Sequence, residues 1–219
     1  MGRTNGLQPR TTEFMNLWLR LLWLLATARF QDRLAEPTET VALGMRVWPG
    51  DLDISLHMNN GRYLTIMDLG RLAFLFRSTL WDVVRREKLT PMVAAIAIRY
   101  RRELRPFQRY TLTTQIIGWR DTTVLFEQKF VARGGSRDGQ VAARALVRAG
   151  LYNRAKRRWE TVADLMAATG VGGRESPKLP ADAEAFLATE TEMQGIDRRR
   201  ISVAPTDDRA SERASDEAL

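Results

Sequence analysis

Residues 48–71, W-P-G-D-L-D-I-S-L-H-M-N-N-G-R-Y-L-T-I-M-D-L-G-R, decide the fold of this chain. They contain the only histidine of the sequence, His57, and two aspartates separated by one residue, Asp51 and Asp53. The first half of the stretch has the turn formers and side-chain acceptors of a loop. In the second half, apolar residues recur at helical spacing from Tyr63 to Phe74. The pattern predicts a polar loop that leads directly into a largely buried helix.

A loop that precedes a helix in this way is suited to the chemistry of acyl groups. The first turn of a helix presents unpaired N–H groups and a partial positive charge, which polarise a carbonyl or stabilise an oxyanion. A carboxylate in the loop, such as Asp53, could attack the same carbonyl or activate water against it. Taken singly, Asp53 and Asn59 are more typical of helix caps and His57 of a structural histidine, so the combination carries the functional prediction.

The run D-L-D-x-x-x-H-M-N-N-x-x-Y-L resembles the signature of the hotdog-fold thioesterases, the group of 4-hydroxybenzoyl-CoA and acyl-acyl-carrier-protein thioesterases. Within that group the chain is most similar to the branch of thioesterase superfamily member six. The resemblance covers roughly residues 40–165. It implies an α+β hotdog fold, in which an antiparallel β-sheet wraps around a central α-helix. It also implies a hydrolase of acyl-CoA or acyl-carrier-protein thioesters that needs no cofactor or metal.

The resemblance assigns catalytic roles to three residues. Asp53 falls on the catalytic carboxylate of the family, and His57 on the histidine of a D-x-N-x-H pattern whose middle position is Ser55 here. Asp68 is a second catalytic candidate, with an ordinary helix ion pair to Arg71 at i+3 as its alternative. Serine has no amide to orient both substrate and water. A catalytically silent hotdog protein that binds acyl chains or partners at a membrane therefore stays open as the alternative function.

The predicted substrate site uses residues from the same loop, from the helix and from a basic segment. Active sites of the family form between two subunits, so the resemblance implies a homodimer or a dimer of dimers. An arginine from residues 99–109 would then bind CoA phosphates across the interface, or the segment is a basic strand edge that discourages aggregation. Asp51 is interpreted as a turn former. The substrate-binding candidates are Ser55, Asn59, Asn60, Tyr63, Arg101 and Arg102.

Composition excludes several other classes of site. The absence of cysteine excludes disulfides, thiolate zinc sites and a cysteine nucleophile, and a single histidine excludes metal sites built on several imidazoles. There is no G-x-S-x-G elbow, P-loop or G-x-G-x-x-G motif after a strand. The net charge is +8, but the arginines lack the interleaved aromatics of a nucleic-acid platform, so no nucleic-acid partner is expected.

The apolar run at residues 14–28 is too short to span a bilayer, and Arg20 interrupts it, which argues against a secretory signal. The favoured interpretation is an interfacial anchor, with Trp18 and Trp23 at headgroup depth and Arg20 and Arg29 reaching phosphates. The alternative is an extra helix that packs on the domain or a partner. The first interpretation predicts a cytoplasmic protein that contacts the cytoplasmic face of a membrane through residues 14–30.

Three segments follow from these patterns. Residues 1–39 form an N-terminal hydrophobic segment, residues 40–170 the hotdog domain, and residues 171–219 a polar tail that is largely disordered, especially from 197 onward. Helices are predicted at 61–77 and 80–88, after Trp159 and at 183–193. Strands are predicted at 40–48, 92–104, 110–117, 122–132 and 141–152.

Overall fold

The structure is a computed structural model that describes the backbone of residues 12–28, 30–170 and 173–203. Two compact units are present, Met1–Leu179 and Pro180–Leu219. The first unit contains helices α1 to α4 and all the strands of the described residues, and the second contains helix α5. The helices are α1 Thr12–Ala28, α2 Asn60–Arg77, α3 Leu80–Arg86, α4 Val162–Ala168 and α5 Ala181–Val203. The strands are β1 Val41–Arg46, β2 Leu89–Tyr100, β3 Arg109–Arg120, β4 Thr123–Arg133, β5 Val141–Asn153 and β6 Arg158–Trp159.

The strands form one antiparallel sheet in the order β1-β3-β4-β5-β2, with the short β6 added beside β5. Strand β2 therefore forms one edge of the sheet in the described chain. It begins and ends earlier than predicted, because Leu89 already pairs with Asn153 while Arg101 and Arg102 have left the ladder. Strand β6 was not predicted. The sheet curls around α2, so the predicted hotdog fold is confirmed.

Helix α2 lies against the sheet with one side of its surface buried: Tyr63, Ile66, Met67, Leu69, Gly70, Ala73 and Phe74. The closest approach is at Gly70, where a Cβ atom would lie 2.5 Å from the Thr114 Oγ1 atom and 2.8 Å from the Gln128 Nε2 atom. The amide of Gln128 donates to the carbonyl oxygen of Met67 at 3.0 Å and to Thr114 Oγ1 at 2.8 Å. These bonds satisfy polar atoms that are fully buried between helix and sheet.

Helix α1 packs on the hotdog domain through Leu17, Leu21 and the buried Leu24. The guanidinium of Arg20 points into the domain, where its Nη2 atom donates to the carbonyl oxygen of Arg46 at 3.0 Å and to Asp51 Oδ2 at 2.5 Å. The prediction that Arg20 reaches lipid phosphates is therefore wrong, because a buried carboxylate is the stronger partner within its reach. Arg29 lies outside the described residues.

A second set of apolar side chains on α1 remains at the surface. Its members are between 48% and 62% exposed: Trp18, Leu19, Leu22, Trp23 and Leu25. The helix thus has one apolar side against the domain and another against solvent. Among the described residues, no helix has the length and hydropathy that a membrane span requires.

The second unit is described only by α5, Ala181–Val203. The helix includes the predicted segment 183–193 and continues through 197–203, where a disordered tail was expected. Helical i,i+4 contacts support it, including a 2.9 Å hydrogen bond from Gln194 Nε2 to Glu190 Oε1. The rest of that tail, residues 204–219, lies outside the described residues.

Candidate active site

The loop before α2 is closed by its own backbone. The Asp53 N–H donates to the His57 carbonyl at 2.9 Å, and the Leu56 N–H donates to the Asp53 carbonyl at 3.1 Å. Leu56 takes a φ of 58°, a left-handed conformation that is uncommon for a residue other than glycine. Ile54 is fully exposed and Leu56 is 69% exposed. This tight turn holds Asp53 and His57 together and displays two apolar side chains beside them.

Asp53 and His57 form a partly exposed pair. The Asp53 Oδ1 atom accepts a hydrogen bond from the Ser55 backbone N–H at 2.8 Å. The Oδ2 atom lies 3.4 Å from His57 Nδ1, and the two side chains are 26% and 38% exposed. The carboxylate is thus oriented by two neighbours and open to solvent on another side. In the described part of the chain, no three His, Asp or Glu side chains form a group that could hold a metal ion.

Asp51 anchors this loop to the rest of the domain. Its side chain is completely buried; Oδ2 accepts from the Trp48 N–H at 2.9 Å, and Oδ1 accepts from Arg62 Nε at 3.2 Å. Arg20 is the other guanidinium that donates to this carboxylate, as described above. The carbonyl oxygen of Asp51 accepts the Asn59 N–H at 2.8 Å. Asp51 is a turn former as predicted, but it is also a buried anion between two arginines, a role that no local sequence pattern indicates.

At the start of α2, the N–H of Asn60 has no acceptor among the described residues, whereas its neighbours on both sides are bonded. The Met58 and Asn59 N–H groups donate to the carbonyls of Leu104 and Asp51, at 2.9 and 2.8 Å. Those of Gly61 and Arg62 donate to the side chain and the carbonyl of Asn59, at 2.8 and 2.9 Å. Among the hydrogen bonds of the described residues, the Asn60 N–H has no acceptor. It therefore offers a donor with the helix dipole behind it.

The predicted substrate-binding residues of this region have different surroundings. Asn59 is an exposed helix cap, Asn60 is exposed and its carbonyl accepts from the Tyr100 hydroxyl at 3.0 Å, and Ser55 is exposed. Tyr63 is buried at 2% exposure, with its ring against Tyr100 and Phe130, so its role as a substrate-binding residue stays a prediction. Burial raises the pKa of Tyr63 to about 12. Its ring belongs to the core because position 63 falls on the inner face of α2.

Arg101 and Arg102 lie just past the end of β2, with exposed side chains. Their backbone N–H groups both donate to the carbonyl of Ala142, at 2.8 and 3.0 Å. The loop that carries Asp53 is a neighbour of this segment, since Met58 bonds to Leu104. The backbone of this segment thus continues into the strand end that contacts the Asp53 loop, and the binding role of Arg101 and Arg102 stays a prediction.

Asp68 lies elsewhere, two turns along α2. It forms an ion pair with Arg71, and Arg71 Nη1 also donates to Gln128 Oε1 at 2.6 Å. Burial lowers the pKa of Arg71. Asp68 and Arg71 line a mainly apolar cavity of about 350 Å³ with Leu72, Met92, Ile116 and Phe126, whereas Asp53 and His57 are not among its lining residues. The structure therefore separates Asp68 from the Asp53–His57 pair.

Comparison with known proteins agrees with this fold. A family profile described as the thioesterase-like superfamily matches residues 47–188. Protein THEM6 of Danio rerio is 35% identical over 131 residues, a match that spans 60% of this chain and 63% of that protein. The chain therefore matches less than two thirds of the length of that relative.

Solved structures support the same assignment. The 4-hydroxybenzoyl-CoA thioesterase of Pseudomonas sp. strain CBS-3 matches with a TM-score of 0.52 and 16% identity, over 58% of this chain and 97% of that one. A hypothetical protein from Staphylococcus aureus in complex with CoA matches with a TM-score of 0.50 and 15% identity, over 68% and 94%. At these identities the likeness shows the fold alone. With the profile match over residues 47–188, however, this chain belongs to the thioesterase-like superfamily.

Proposed function

We propose that this protein is a thioester hydrolase that acts on acyl-CoA or acyl-carrier-protein thioesters, with Asp53 as nucleophile or general base. One observation carries the proposal: a partly exposed carboxylate stands in the loop before α2, and the N–H of Asn60 is left without an acceptor at the start of that helix. Family membership and a fold neighbour solved with CoA support the choice of substrate.

The geometry suits the addition of an oxygen nucleophile to a thioester carbonyl. The substrate carbonyl oxygen accepts from the Asn60 N–H, where the helix dipole stabilises the negative charge that develops there. Asp53 then either attacks the carbonyl carbon, giving a mixed anhydride that water hydrolyses, or takes a proton from an attacking water. In both routes the carbon–sulfur bond breaks and the thiolate leaves. His57 orients Asp53 through the 3.4 Å contact between Nδ1 and Oδ2.

The decisive experiment compares Asp53→Asn with Asp68→Asn on a panel of acyl-CoAs of graded length, with free thiol as the readout. Asp53→Asn keeps the size of the side chain and removes its charge, so turnover should fall about 10²- to 10⁴-fold with little change in melting temperature. Asp68→Asn is the matched control. It also removes one carboxylate, but at a position two turns along α2, away from the Asn60 N–H. Near-normal turnover by Asp53→Asn together with an inactive Asp68→Asn would transfer the catalytic role to the helix.

The silent-binder alternative rests on Ser55, which replaces asparagine in the D-x-N-x-H pattern. Its backbone N–H holds Asp53, but the structure gives its hydroxyl no hydrogen bond within the described residues. If wild type releases no thiol from any acyl-CoA while it binds them in calorimetry, this alternative replaces the hydrolase.

We also propose a homodimer that pairs the β2 edges of two copies. Met92 and Val93 are 43% and 41% exposed on this edge strand, and Ile54 and Leu56 are exposed in the neighbouring loop. A long apolar edge is a site for pairing with another strand, and a second copy would cover it. Val93→Lys should convert the dimer to a monomer in light scattering. Met193→Lys, at a more exposed apolar position on α5, is the control, and a monomeric wild type at micromolar concentration would contradict the dimer.

The last part of the proposal concerns location: a cytoplasmic protein that contacts the cytoplasmic face of a membrane through the outer side of α1. Support comes from the exposed Trp18, Leu19, Leu22, Trp23 and Leu25, which is the composition of an interfacial helix. Trp18→Ser combined with Leu22→Ser should abolish co-sedimentation with phosphatidylcholine vesicles and leave the fold intact, because both side chains point away from the domain. Unchanged co-sedimentation would refute the contact.

A further inference from the structure

Three arginines stand side by side on the outer face of the sheet. The register pairs Arg46 of β1 with Arg109 of β3, and Arg109 with Arg133 of β4. Residues opposed in this way project from the same face, with their Cβ atoms about 5 Å apart. This face points away from α2, because the next residue, Tyr110, is buried against the core. We call Arg46, Arg109 and Arg133 the arginine row.

Like charges at opposed positions destabilise a sheet unless something neutralises them. The arginine row lines a groove of about 1050 Å³ between α1 and the strands β1 and β3. The described residues that line this groove include no aspartate or glutamate. The only side-chain bond described for the row joins Arg133 Nε to Thr111 Oγ1 at 2.9 Å, which leaves most of its N–H donors available. The groove therefore has the charge and the donors of an anion site.

The shape of the groove leaves space for a ligand next to the row. Gly44, one step along β1 from Met45, has open space where a side chain would be, since a Cβ atom there would meet nothing within 4 Å. Arg20 also lines the groove, but its guanidinium is paired with the buried Asp51, which also pairs with Arg62. The positive charge of the groove thus comes mainly from the arginine row.

The opposite wall of the groove is α1. Leu19 and Trp23 line it, and they belong to the exposed apolar side of that helix. Trp48, which is 46% exposed, lies at the same groove. Two exposed tryptophans and an exposed leucine thus share a groove with three arginines that have no acidic partner among its described lining residues. This combination matches the two layers of a membrane surface, the acyl boundary and the phosphates above it.

We infer that this groove binds the phosphate of an anionic phospholipid headgroup, with the arginine row as donor and the outer side of α1 in contact with the acyl chains. The inference rests on the membrane contact proposed above. Guanidinium groups bind phosphate oxygens through paired hydrogen bonds, so three of them in a row fit one or two headgroups. The groove would thus make the membrane contact selective for anionic lipid.

The test is co-sedimentation of the full chain with two kinds of vesicle, one of phosphatidylcholine and one with about one third phosphatidylserine. Wild type should bind the anionic vesicles more tightly. The triple variant Arg46→Gln, Arg109→Gln, Arg133→Gln should lose about fivefold per arginine on anionic vesicles, about a hundredfold in all. Its binding to neutral vesicles should not change. A melting curve checks that the variant is folded.

The matched control removes the same charge elsewhere, with Arg85→Gln, Arg154→Gln and Arg157→Gln, three exposed arginines toward the other end of the sheet. It should lose less than fivefold on anionic vesicles, since these positions lie away from the groove. An equal loss in both triple variants would mean that only the overall charge matters, and would overturn the headgroup site.

Other outcomes separate this site from the proposals on which it depends. If wild type binds neither vesicle, the contact through α1 fails as well. If wild type binds both vesicles equally, that contact stands and the headgroup site fails. Calorimetry with CoA separates a lipid site from a substrate site. If the arginine-row variant binds CoA as tightly as wild type, the result supports a lipid site. A weaker CoA affinity with unchanged vesicle binding would assign the row to the substrate instead.

Discussion

Replacing Arg20 by methionine tests whether α1 is part of the hotdog domain. Methionine keeps the apolar stem of the side chain and removes the guanidinium, so the change isolates the contacts made with Asp51 and with the carbonyl of Arg46. Asp51 has no exposed surface and the Arg20 side chain is 12% exposed, so the carboxylate left behind cannot gain water without local opening.

The expected loss follows from that burial. Removing one partner of a buried ion pair costs about 3–5 kcal/mol. Arg62 remains 3.2 Å from Asp51 Oδ1 and keeps part of the charge balanced, which places the loss near the lower end, about 3 kcal/mol. For a chain of this size, the melting temperature should fall by about 6–12 °C. Deletion of residues 1–30, which removes Arg20 together with α1, should for the same reason be strongly destabilising.

Urea unfolding followed by circular dichroism measures this loss, and Arg33→Met is the control. Arg33 pairs with Asp82 at 2.9 Å, but the two side chains are 61% and 53% exposed, so water replaces the lost partner and the cost should stay below about 1 kcal/mol. In the double variant Arg20→Met, Asp51→Asn, the two losses should not add, because both remove the same interaction. Equal losses for Arg20→Met and Arg33→Met would refute the buried anchor.

Two further predictions concern stability. Gly70→Ala should destabilise the protein by about 1–3 kcal/mol despite the higher helix propensity of alanine, because the added Cβ would lie 2.5 Å from Thr114 Oγ1. The control Gly44→Ala, whose added Cβ would meet nothing within 4 Å, should cost less in the same urea assay. A tolerated Gly70→Ala would show that the helix can move off the sheet. Burial raises the pKa of Tyr63 to about 12 and also raises the pKa of Tyr110. The stability that these two neutral side chains contribute is therefore complete below pH 10. Above pH 10, each should lose up to about 1.4 kcal/mol of that contribution per pH unit. Tyr63→Phe should make the free energy of unfolding less dependent on pH in that range, and an unchanged slope would mean that Tyr63 ionises as easily in the folded state as in the unfolded one.

Local patterns in the sequence determined the loop, the central helix and the strands. The apolar spacing from Tyr63 to Phe74 and the period-two alternation of the strands depend only on near neighbours, so they predicted the elements of the hotdog fold with shifted ends. The closeness of Asp53 and His57 was accessible for the same reason, since only three residues of a tight loop separate them. Ser55 and Asn59 likewise act on groups two residues away.

Tertiary structure alone decided the contacts between distant segments. Asp51 meets Arg20 across 31 residues of chain, and nothing in the local pattern of either residue indicates that pairing. The sequence placed Tyr63 on the apolar face of α2, but only the packing of the sheet brought its ring against Tyr100 and Phe130. The arginine row depends on the register of three strands, because a shift of one residue would move each side chain to the other face. The spacing of apolar residues and the residue types of turns are local properties, whereas burial and strand register are set by how the whole chain packs.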